Sequence, residues 1–163
     1  MAHPLSTIGI IHTTVSIVPV IAGVYSFATH GKIVPKLTSG KIYFLGLILS
    51  VLSAFGVSST GGINAGHLFG LFVLAIALMG IVVEQVKLLG NMRQYLSTFG
   101  ISFSFFLSLI PGTNETLTRL PPHAPIASGI DSPVVLYSIL FLLCLFICGF
   151  IWQCKCIYQL HRQ

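Results

Sequence analysis

The sequence predicts an all-α polytopic membrane bundle of five transmembrane helices, with the amino terminus outside, the carboxyl terminus inside, and one domain over residues 1–163. Three observations carry that expectation. Of 163 residues 55% are hydrophobic and only 7% are charged, whereas a water-soluble domain carries about a quarter charged residues. The chain divides into apolar windows near the roughly 20 residues that cross a hydrocarbon core of about 30 Å. Its Lys and Arg residues cluster in alternate connections, as the positive-inside rule requires. Soluble enzymes, secreted disulfide scaffolds, disordered tails and nucleic-acid modules are excluded by the same arithmetic. The net charge of +5 belongs to the membrane argument, and no nucleic-acid partner is expected.

The first window covers residues 5–28. It is too long for a signal-peptide core and no Lys or Arg precedes it, so it reads as a retained helix. Gly31, Pro35 and Gly40 then break the pattern before the second window, 42–58. Gly61 and Gly62 separate that window from the third, 63–86, and Gly90 with Asn91 ends the third. The fourth, 95–110, is the weakest, short and serine-rich, with Ser97, Ser102, Ser104 and Ser108 among phenylalanines. Serine hydroxyls can bond back to carbonyls of the preceding turn, so they do not forbid a span. A proline-rich outer loop is expected over 111–132, and the last window covers 133–152. Three connections are short, which makes consecutive helices antiparallel neighbours.

Orientation follows from the basic residues. Lys32, Lys36 and Lys41 flank the first connection, Lys87 and Arg93 the third, and Lys155 and Arg162 the tail. Only Arg119 falls on the opposite side, where Glu115 and Asp131 also lie. The Lys32–Lys36–Lys41 cluster reads as a topology and lipid-headgroup feature.

Polar residues gather toward the outer end. His12 lies about two turns into the first helix and His67 about one turn into the third, which puts two imidazoles at similar depth on parallel helices. An ionisable side chain within a span is a functional-site hypothesis by default. His12, Ser16, Pro19 and Gly23 share one face of the first helix. Gly62, Gly66, Gly70, Ala77, Gly80 and Glu84 form a narrow stripe beside His67, open to a partner helix or a flat ring. The outer loop adds Glu115, Arg119 and His123 and, stiffened by prolines, reads as a lid over the bundle mouth.

Two histidines at matching depth suit the axial pair of a b-type haem, with Arg119 available to a propionate. A copper or zinc site built from His12, His67, Glu115 and His123 is as reasonable chemically. A plainer reading stands beside both, in which each imidazole bonds across a helix interface and the glycines serve packing alone. A quinone, lipid or other small-ligand site is a further alternative.

Cys144 and Cys148 share a face of the last helix and read as packing residues. Cys154 and Cys156 lie near the reducing side, where disulfides are rare, and their side chains diverge on a helix. Asn114-Glu115-Thr116 matches the N-glycosylation acceptor pattern, which a bacterial source would void. No phosphate-binding loop, dinucleotide fingerprint or hydrolase triad is present, so no enzyme chemistry is indicated.

A histidine-threonine pair early in the first span, the Gly31-Lys32 turn, Gly40-Lys41-Ile42-Tyr43 opening the second span and the run from Glu115 to Pro121 together resemble small bacterial inner-membrane proteins of an uncharacterised domain-of-unknown-function family. The family pattern has a histidine where this chain carries Lys36. The resemblance implies the bundle fold and a bacterial inner membrane, and no activity. Two functions are expected from the whole reading. The first is a small haem or metal protein in respiratory electron transfer or respiratory-enzyme assembly, with His12 and His67 as ligands. The second is a non-catalytic accessory subunit of a larger respiratory or photosynthetic membrane complex. A transporter is disfavoured because the first and third spans show no inverted repeat.

Overall fold

Apolar runs bounded by glycine, proline and asparagine become five helices in the computed structural model, which describes residues 7–57 and 62–162. They are α1 (Thr7–His30), α2 (Thr38–Ala54), α3 (Ala65–Gln85), α4 (Met92–Arg119) and α5 (Pro133–Leu160). No strand occurs among the described residues. The start of the first window at 5–6, the end of the second at 58 and the Gly61 half of the second turn lie outside them.

Local chemistry sets each boundary. Gly31 takes φ +69 at the end of α1 and its N–H closes on the Phe27 carbonyl at 3.0 Å, the left-handed stop that glycine adopts without strain. Asn64 caps α3, a single 3-10 turn at Lys87–Leu89 follows that helix, and Gly90 reverses the chain at φ +51. Pro133 opens α5 at a position where its missing N–H removes no helical bond.

Four of the helices (α1, α3, α4 and α5) are long and apolar enough to cross a membrane. α2 is apolar but has 17 residues, about 25 Å at 1.5 Å per residue.

α4 departs from its sequence expectation. It runs through Pro111 to Arg119, so the irregular connection expected over 111–132 begins only at Leu120. Proline removes one backbone donor, which a membrane helix tolerates when neighbouring groups supply other bonds. The hydroxyls of Thr113, Thr116 and Thr118 each donate to the carbonyl four residues back, at 2.7 to 2.9 Å. Arg119 and Glu115, also four apart, form an ion pair on the last turn. The shortened connection is tied down where the Ala127 N–H donates to the Leu117 carbonyl at 2.9 Å, and Ala127 is buried. The acceptor pattern at Asn114 therefore lies inside a helix, with Asn114 half-buried.

The helices pack as two hairpins, α1 on α2 and α3 on α4, with α5 laid against the outside of α4. Tyr43, Phe44 and Leu47 of α2, Val73 and Ala77 of α3, and Ile101, Phe105 and Phe106 of α4 form the core. Small residues let the backbones approach. A Cβ on Gly100 would lie 3.2 Å from the Gly80 Cα, and one on Gly23 would lie 2.3 Å from the Phe105 ring. The glycine stripe of α3 thus divides in two. Ala77 and Gly80 are buried and receive a helix, while Gly62, Gly66 and Glu84 are exposed.

Candidate functional site

Three polar side chains of α1, His12, Ser16 and Ser26, meet serines of α2. Ser26 donates to Ser39 at 2.8 Å in a fully buried contact. Nearer the other end, Ser16 donates to the His12 carbonyl at 2.8 Å and stands 2.6 Å from the Ser50 hydroxyl. His12 completes the series, its Nδ1 lying 2.9 Å from Ser53 Oγ. Ser53 donates its only hydrogen to the Ser50 carbonyl at 3.0 Å, so His12 Nδ1–H is the donor of the pair. That tautomer leaves Nε2 of His12 as the acceptor nitrogen.

His67 is held differently. It occupies the third position of α3, and Asn64 caps that helix reciprocally: the Asn64 side chain accepts from the His67 N–H and the His67 Nδ1 accepts from the Asn64 N–H, each at 3.1 Å. With Nδ1 accepting, Nε2 carries the proton and donates to the Ala54 carbonyl of α2 at 2.9 Å. The ring also stacks on Phe55, with centroids 4.8 Å apart and planes 13° apart. His67 is 4% exposed. Its imidazole therefore fastens the start of α3 to the end of α2, capping the Asn64 N–H and adding a second donor to the Ala54 carbonyl, which also accepts from the Val57 N–H at 2.8 Å.

Both histidines thus reach adjacent residues of α2, Ser53 and Ala54, as matching depth on parallel helices led one to expect. The other candidates do not join them. Arg119 is engaged by Glu115 on α4, and His123 is exposed in the turn that follows. Among the described residues, no three His, Cys, Asp or Glu side chains gather into a group that could hold a metal ion.

The donor chemistry fits a haem or metal poorly at His67, because an imidazole ligates through a lone pair and both of its ring nitrogens are committed. His12 Nε2, by contrast, has no hydrogen-bond partner among the described residues. The two candidate axial ligands are therefore unequal, and only His12 could ligate without first breaking the helix junction.

Sequence reasoning missed three further polar positions. Tyr43 is fully buried and donates to Ser104 Oγ at 2.9 Å, while Ser104 donates on to the Ile101 carbonyl at 2.7 Å. Gln153 of α5 is 4% exposed. It accepts from Ser102 of α4 at 3.1 Å and donates to the Gly31 carbonyl at 2.8 Å. Asn64 was legible in principle, since its spacing of three before His67 is that of a capping box. Tyr43 and Gln153 carried no local signal, because their partners lie 61 and 122 residues away.

The four cysteines are free, and Cys144 and Cys148, expected as packing residues, are exposed on α5. No family model, curated protein or solved structure matches this chain.

Proposed function

We propose that this chain is a non-catalytic integral membrane protein that serves as an accessory subunit of a larger membrane complex, with its amino terminus outside and α2 counted as a fifth span. The observation that carries the reading is the use of the polar side chains. His67 and, at Nδ1, His12 are spent on bonds between helices, as are Ser16, Ser26, Tyr43 and Gln153. Little polar chemistry is left facing a cleft where a substrate could react. Meanwhile α5 carries a broad apolar surface, only 6% of its most apolar stretch being buried within the chain, and a neighbouring helix or lipid would cover it. A bacterial inner membrane, respiratory or photosynthetic, is the setting implied by the resemblance and by the basic residues gathered at one end.

Purification in mild detergent tests the proposal directly. A stable, stoichiometric membrane partner is expected to accompany the chain, and a protein that runs alone under conditions preserving known complexes would count against it.

The second reading, a haem or metal held through His12 and His67, keeps one observation in its favour: both side chains meet the same end of α2. It requires His67 to exchange the Ala54 carbonyl for the metal. The visible spectrum and metal content of the purified protein decide between the two. A Soret band abolished by both His12→Ala and His67→Ala would establish the haem. With no cofactor, His67→Ala is expected instead to lower the unfolding free energy by the roughly 1 kcal/mol typical of a lost helix cap, with no spectral change.

A further inference from the structure

A mostly apolar cavity of the bundle lies toward the end of α1 opposite His12. It has a volume of about 510 Å³ and lies between α1 and α5 with α4 as its floor, inside the roughly 300–1,000 Å³ range of small-molecule sites. Val24 and Phe27 line one side, Leu145 and Gly149 the other, and Phe105 and Phe106 the floor. A Cβ added to Gly149 would meet nothing within 4 Å, which independently shows the space beside α5 to be open.

Two features of the cavity specify its occupant. Along α5 the lining runs from Leu142 to Gln153, roughly 16 Å at 1.5 Å per residue. That is about half of a hydrocarbon core of roughly 30 Å, the depth of one leaflet. The Gln153 end is also the basic end of the molecule. Gln153 is bonded to the carbonyl of Gly31, Lys32 follows at once, and the Trp152 ring packs over Gly31, as an aromatic side chain does at a membrane interface. Lys36 and Lys41 flank the same connection, Lys87 and Arg93 flank the one between α3 and α4, and the end of α5 carries Lys155 and Arg162.

We infer that this crevice is a lipid site, taking one hydrocarbon tail of an anionic glycerophospholipid from the leaflet at the basic end, with the phosphate beside Lys32. The walls bury the tail by the hydrophobic effect. Selection for negative charge comes from the rim, since a basic residue near a membrane surface attracts anionic headgroups.

The test is photo-crosslinking of the intact protein in nanodiscs with phosphatidylglycerol carrying a diazirine in mid-tail, followed by mapping of the labelled peptides. Labelling is expected to concentrate on the residues around Val24 and Leu145, and to be competed better by unlabelled phosphatidylglycerol than by phosphatidylcholine. Gly149→Phe fills the space and is expected to remove most of that labelling while helicity and thermal midpoint stay unchanged. If that variant fails to fold, Gly149→Leu makes the same test with less bulk. Lys32→Gln is expected to lower the preference for the anionic lipid about fivefold without abolishing labelling. Labelling spread evenly onto the outward face at Leu140 and Phe141, or unaltered by filling Gly149, would overturn the site. Equal competition by the two lipids would overturn its anionic selectivity. Protection from labelling that tracks dimer formation would assign the crevice to a second copy of the chain instead.

Discussion

α4 and α5 are both 28 residues long, pack against each other, and have opposite fates. α4 is the least apolar of the four long helices and 39% of its most apolar stretch is buried, whereas α5 is the most apolar and 6% of its stretch is buried. In water the order would be reversed. In a bilayer the surroundings are as apolar as leucine, so burial is not driven by hydrophobicity, and small or hydrogen-bonding residues decide which helix is interior. Ser97, Thr98, Ser102 and Ser104 of α4 are all buried, and Ser102 and Ser104 find partners on α5 and α2. The outward face of α5 carries Leu140, Phe141 and Ile147, which need none.

That contrast can be broken most strongly at a glycine. Gly80→Leu forces a side chain into the α3–α4 contact, where a Cβ alone would lie 2.8 Å from Ile101 and 3.1 Å from its backbone nitrogen. A loss of about 3 kcal/mol is expected, read as a fall in unfolding free energy in detergent. Gly149→Leu on α5, with open space around it, should leave that free energy nearly unchanged. A comparable loss at both positions would mean that α5 is as tightly packed as α4.

A smaller effect is expected from the buried hydroxyls. Ser104→Ala leaves the Tyr43 hydroxyl buried without its acceptor and should cost about 1 kcal/mol. Tyr43→Phe in the same background should restore part of it, because removing both partners is cheaper than removing one. Absence of that rescue would show that the pair contributes no coupling.

Smallest of all is the outward face of α5. Phe141 is 63% exposed, and Phe141→Leu is expected to stay within about 0.5 kcal/mol of the parent protein in thermal unfolding. A larger loss in native membranes than in detergent would identify a partner helix seated on that face, which is what the accessory-subunit proposal requires.

The same physics explains how far the sequence could be read. All five apolar windows became helices, since length and composition suffice to mark them. The ends of α4 and α5 did not follow: Pro111 reads as a breaker, yet α4 runs on to Arg119, and α5 runs to Leu160, past the last apolar window at 152. His12 and His67 both reach the end of α2, yet their roles were not legible. Whether an imidazole can ligate depends on what its two nitrogens already touch, and those partners, Ser53 and Ala54, belong to another helix.

By itself, then, the sequence determined that the chain is helical and apolar enough for a membrane, that it holds five apolar helical segments, and that seven of its eight Lys and Arg residues flank alternate connections. Those properties depend on local composition and on the alternation of connections. Only the tertiary structure decided that the serine-rich helix is central, that His67 locks a helix junction, and that a crevice one leaflet deep remains between α1 and α5. Each of these depends on which surfaces meet, and hydrogen bonds and steric fit between distant segments carry no periodic signature along the chain.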